Sequence, residues 1–188
     1  RASPDRVSRL MPVMLLGVFP LVAAGVVAPP GLNWIVIALH LLVLYCGCLL
    51  CHTRLAESRP STQHLTEFYF WIALGGVLGG ILTAILAPAV LNTVLEYPLL
   101  VATLPFFRGG TFRRSDLLIA AGMGIAVAAT WILFRAVNLD SNTEAVALAH
   151  TAFLFTAYKL RRDAQRFAWS FAVLMLGYAF ILPGYIEG

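Results

Sequence analysis

Lysine and arginine are sorted along this chain. Seven apolar blocks can be drawn, at residues 10–28, 32–51, 67–91, 94–107, 117–137, 143–158 and 167–186. The tail (Arg1, Arg6, Arg9) and the connections 52–66, 108–116 and 159–166 hold twelve basic residues, whereas the intervening turns and the C-terminal end hold one, Arg135. Membrane proteins keep Lys and Arg in their cytoplasmic loops. The alternation therefore predicts seven crossings, with the tail at Arg1 cytoplasmic and Gly188 outside. It also predicts that block 94–107 crosses, despite Pro98 and Pro105. Otherwise Arg108, Arg113 and Arg114 would face outward.

The blocks fit a bilayer better than a soluble core. The chain is 60% hydrophobic and 12% charged, against about 25% charged in soluble domains. The expected fold is all-α: a single multi-pass transmembrane helix bundle, with the bilayer and other transmembrane helices, of this chain or of a larger complex, as its partners. The net charge of +4 reads as topology, not as a nucleic-acid surface. Block 10–28 is too long for a signal peptide, and Pro12 and Pro20 are expected to interrupt it. Pro29-Pro30-Gly31 should end it. Asp116 is a fair N-cap for the fifth block, and Ser141-Asn-Thr-Glu144 reads as a capping box opening the sixth. Arg1 in place of Met, and Gly188 just after an apolar block, lead us to expect a piece of a longer chain.

Cys48 to His52 spells C-x-x-C-H, the attachment pattern of c-type haem. The charge map places His52 on the cytoplasmic side, and covalent haem is normally attached on the other. Cys46 and Cys48 then read as small packing residues, and Cys51 and His52 as the helix's exit into the interface. His40 and His150 each lie inside an apolar block. They are candidate axial ligands for haem b, but hydrogen bonding across a helix interface is the commoner use of such residues. No cofactor and no metal are therefore expected. Three cysteines within six residues cannot staple distant parts of a fold.

Gly75/Gly79 and Gly76/Gly80 form two overlapping G-x-x-x-G pairs, which make a flat strip for close helix approach. They lie inside an apolar helix, so a phosphate-cradling loop is excluded. Pro88 should kink this helix. Glu67 and Glu96 fall at its two ends. Glu67 suits the first turn through the helix dipole, or joins His52 and Arg54 in a polar cluster at the cytoplasmic mouth. Tyr97 and the run Phe68-Tyr-Phe-Trp71 read as interfacial belts. No Asp or Glu sits at the centre of a block, which argues against a cation pathway.

One stretch carries more identity than the rest. Cys51-His52, Arg59-Pro60, His64-Leu-Thr-Glu-Phe-Tyr69, Gly75-Gly-Val-Leu-Gly-Gly80, Ala87-Pro88 and Glu96-Tyr-Pro98 follow one another over about fifty residues. This spaced combination resembles the membrane region of bacterial spermidine synthase-like proteins. The resemblance implies a multi-pass inner-membrane domain fused ahead of a polyamine aminopropyltransferase-like domain. A catalytic domain of that kind needs a Rossmann-like sheet and a glycine-rich cofactor loop. Neither is present here, so these residues are expected to be non-catalytic, with an anchoring or polyamine-linked role. An accessory subunit of a larger complex and a haem-binding electron-transfer subunit are the alternatives.

Overall fold

The computed structural model describes residues 4–23, 33–90, 96–139 and 143–181. Among them the regular structure is helical throughout. Seven helical segments follow in order: α1 (Pro4–Ala23), α2 (Asn33–Glu57), α3 (Thr62–Val90), α4 (residues 96–108), α5 (Arg114–Ala136), α6 (Thr143–Leu160) and α7 (Ala164–Ile181). Three helical stretches are long and apolar enough to cross a membrane: Trp34–Glu57 within α2, α3 and α5. A span needs about 20 residues at 1.5 Å rise each. The 13 residues of α4 fall short of that, and it ends in a 3-10 turn, Leu104–Arg108.

Several helix limits differ from the sequence reading. α1 continues through Pro12 and Pro20. Each proline removes one N–H bond, but neighbouring helices hold the segment in place. α2 runs past Cys51 to Glu57, so His52 and Arg54 are helical and do not belong to a loop. Local bonds extend it: Thr53 Oγ1 donates to the Leu49 carbonyl at 2.6 Å, and Arg54 pairs with Glu57 three residues on at 3.1 Å. Asp116 is not the N-cap of α5 but its third residue. Its carboxylate accepts the N–H of the cap residue, Arg113, at 2.8 Å. Pro29-Pro30-Gly31 and Ser141-Asn142 lie outside the described residues.

α3 accommodates its proline with a wide turn. Leu82–Leu86 is π-helical, and the N–H of Ala87 reaches back to the Leu82 carbonyl. Pro88 has no N–H to give and would crowd the carbonyl of Ala84 in a regular α-helix. A π turn just before it relieves that conflict.

α7 is the centre of the bundle, packed against α5, α4, α6 and α1. Phe167, Ala168, Phe171, Leu174 and Met175 are wholly buried on it. Phe171 stacks on Phe167 with centroids 5.6 Å apart and meets Phe19 of α1 edge-on at 6.1 Å. Glycine brings helices together at two places. A Cβ on Gly124 of α5 would stand 3.0 Å from Val173 of α7. One on Gly47 of α2 would stand 2.9 Å from Leu104 of α4.

α3 stands apart from this core. None of its apolar crossing window is buried, and a Cβ at Gly75, Gly76, Gly79 or Gly80 would meet nothing within 4 Å. Tyr69, Phe70 and Trp71 are exposed. It shares a cavity wall with α4, where Leu82, Leu86 and Val90 face Leu99 and Leu100.

Candidate functional site

The basic connections meet at one end of the bundle. Helices α2, α4 and α6 finish there and α5 and α7 start there, and at each join an arginine or acid closes the helix end. Helix C-termini leave carbonyls without partners, and N-termini leave N–H groups. Arg54 Nη2, on the last turn of α2, donates to the Arg108 carbonyl at 2.8 Å. Arg108 Nη2, at the end of α4, donates to the Arg161 carbonyl at 3.1 Å. Arg161 Nη1 donates to the Tyr158 carbonyl near the end of α6 at 2.9 Å. Three arginines thus form a chain from α2 to the α6–α7 turn.

A second chain ties the start of α5 to the start of α7. Asp163 is the residue before α7. Its Oδ1 accepts the N–H groups of Gln165 and Arg166, both at 3.2 Å, as an N-cap should. Arg166 Nε lies 3.5 Å from Asp163 and 3.3 Å from the fully buried Asp116. Asp116 therefore accepts at both oxygens, from Arg166 and from the Arg113 backbone. The turn after α4 is drawn into the same assembly. Gln165 Nε2 donates to the carbonyls of Gly109 and Gly110 at 3.3 and 3.4 Å. Both glycines have positive φ, at 79° and 103°, a region that L side chains avoid. A Cβ on Gly110 would also press on Ala164 at 3.3 Å. Aromatic rings cover the flank, with Trp169 against Phe106 at 5.0 Å and Phe112 at 6.0 Å. Burial pulls the Arg108 guanidinium below its ordinary pKa, and the charge of Asp163 opposes that shift.

The predicted polar cluster does not assemble as expected. Arg54 pairs with Glu57, not with Glu67, which is exposed just after the 3-10 turn that opens α3. His52 lies elsewhere, on an apolar groove of about 400 Å³ between α2 and α4, which Cys48 and Cys51 also line. All three cysteines are free thiols. The side chain of Glu96 lies outside the described residues. Among the described residues, nothing lies against the glycine strip of α3.

The two candidate haem histidines have separate surroundings. His40 Nδ1 is 2.6 Å from the Tyr97 hydroxyl, a bond from α2 to α4. His150 Nδ1 meets the Val146 carbonyl of its own helix at 2.7 Å. Helices α2 and α6 each pack on α1. Among the described residues, no group of three or more His, Cys, Asp or Glu side chains is placed to hold a metal ion.

Sequence reasoning missed the Arg54–Arg108–Arg161 chain and the Asp116–Arg166 pair; at His40 it expected a hydrogen bond across a helix interface but did not name the partner, Tyr97. A signal for the first was available, because connections assigned to one side of a bilayer must share one end of the bundle. The partner of His40 left no signal, since 57 residues separate it from Tyr97. Comparison with family models, with curated proteins and with solved structures gives no match for this chain.

Proposed function

We propose that this chain is a multi-pass domain of a bacterial inner membrane, with seven crossings and its first residues in the cytoplasm; the sorting of Lys and Arg requires block 94–107 to cross although α4 by itself is shorter than a full span. It has no chemistry of its own and serves to anchor a larger spermidine synthase-like protein. The observation that carries the membrane reading is α3, 29 residues of apolar helix with none of its crossing window buried. So much apolar surface is untenable in water, and lipid tolerates it. In its apolar stretch 72–90 the one polar side chain is Thr83, and its Oγ1 is satisfied by the Gly79 carbonyl at 2.9 Å, so that stretch asks nothing polar of its surroundings. The gathering of basic helix ends at one pole supports the orientation. The anchoring role rests on the resemblance of residues 51–98, and direct handling of polyamines gains nothing from the cavities described here. No carboxylate lines any of them.

The open glycine strip favours a second reading, an accessory subunit whose α3 receives a helix from another protein. Both readings share one topology. Single cysteines at Ser61, Thr111 and Asn92, in a chain freed of its own cysteines, test it with an impermeant thiol reagent. Ser61 and Thr111 should label only from the cytoplasmic side and Asn92 only from the other. Labelling of Ser61 from the periplasm overturns the proposal.

A further inference from the structure

Arg9 of α1, Arg108 at the end of α4, and Arg161 and Arg162 of the α6–α7 turn line one cavity of about 360 Å³, with no acidic residue in its wall. Three described carboxylates at this pole are engaged elsewhere. Glu57 holds Arg54, Asp116 holds Arg166, and Asp163 holds Arg166 and caps α7. Arg108 uses Nη2 on the Arg161 carbonyl, but its Nε and Nη1 are buried without a hydrogen-bond partner. Buried donors of a charged group are costly to leave unmet. Two of the guanidinium groups rest on rings, Arg108 over Phe167 at 5.8 Å and Arg161 over Tyr158 at 3.7 Å. Rings of this kind hold the planar fork in place. Guanidinium groups that line one cavity with donors to spare match the oxygens of a phosphate, which accepts charge-assisted N–H bonds from them.

We infer that this cavity binds a phosphate-bearing anion. Two sources present that chemistry: the headgroup of an anionic phospholipid and a soluble phosphate compound. The Trp169, Phe106 and Phe112 cluster beside the site has the composition of a membrane-interface belt. A zwitterionic choline headgroup would bring a further cation to four arginines and should bind poorly. A polyamine should be repelled.

The test uses the purified chain in neutral detergent with three probes: dihexanoyl phosphatidylglycerol, dihexanoyl phosphatidylcholine and inorganic pyrophosphate. Binding is read by calorimetry and by the shift in melting temperature. Saturable binding of phosphatidylglycerol alone assigns the lipid source. Saturable pyrophosphate binding that competes with phosphatidylglycerol assigns the soluble one. In either case Arg108→Gln and Arg162→Gln should each weaken binding about tenfold, the loss of one charge-assisted contact. Arg135→Gln, a change of equal charge outside the cavity, should leave it unaltered. Arg108→Lys keeps the charge but loses the fork, and guards against a folding defect in Arg108→Gln; it too should bind more weakly. Absence of saturable binding by both anionic probes overturns the inference. So does an equal loss in Arg135→Gln, which would reduce the effect to net charge. These outcomes are independent of which way the chain crosses the membrane.

Discussion

Helices α7 and α3 are both apolar, and their fates differ completely. α7 is the packed axis of the bundle, and α3 is open along its crossing window. α3 is among the stretches apolar enough to cross a membrane and α7 is not, but apolarity alone does not set packing, because in lipid an exposed leucine is as well placed as a buried one. What separates them is shape and anchorage. α7 carries Phe167 and Phe171 into a stacked aromatic centre, meets a glycine on α5, and is held at its start by Asp163, Arg166 and Asp116. α3 has its glycines together on one stretch, with nothing among the described residues against them, and its Thr83 hydroxyl bonds within the helix.

The largest blow to this contrast should come from the aromatic centre. Phe171→Ala removes a wholly buried ring that meets both Phe167 and Phe19. It should lower stability by about 3–5 kcal/mol, the usual range for such truncations, as read from reversible unfolding in mixed micelles. Asp116→Ala comes next. It leaves Arg166 with Asp163 alone and the Arg113 N–H without an acceptor. Hydrogen bonds to charged groups contribute about 1.5–3 kcal/mol, and a loss in that range is expected in the same assay. Loss of less than about 0.5 kcal/mol would remove the acid from any role in anchoring α7. The finest comparison sets one substitution at two glycines. Gly124→Leu drives a side chain into Val173 and should cost about 1–3 kcal/mol, whereas Gly79→Leu, with open space around it, should change stability by under about 0.5 kcal/mol. Equal effects at the two positions would erase the distinction between the helices. If Gly79→Leu leaves stability intact but abolishes co-purification of another membrane protein, the accessory-subunit reading is the stronger one.

Much of the architecture was legible in the seven apolar blocks, since long apolar runs favour helices whatever surrounds them. Their ends were less so. Pro12 and Pro20 read as interruptions because propensity ignores the neighbours that hold α1 together. His52 and Arg54 read as a loop because polarity rises there, yet Thr53 and the Arg54–Glu57 pair carry the helix two turns further. The glycines that pack within this chain are not the ones the spacing picked out. A repeated spacing drew attention to Gly75–Gly80, while the close approaches are made by Gly47 and Gly124. A glycine facing one Leu or Val from a distant helix leaves no periodic trace. The arginine pole was half visible: its basic residues were assigned to one side, but their carbonyl bonds depend on where each helix stops.

Because Ala87 reaches back five residues to Leu82, side chains beyond the π turn are rotated by roughly 100° from an unbroken α-helical phase. A helical wheel drawn through the whole of α3 therefore misplaces its last turn by more than a quarter circle. Leu82, Leu86 and Val90 nonetheless share one groove against α4. A disulfide scan from Leu65 toward Val90 should thus show two phases that change between Ile81 and Ala87. The glycine strip and the α4-facing edge can in this way be aimed by one rod in independent directions.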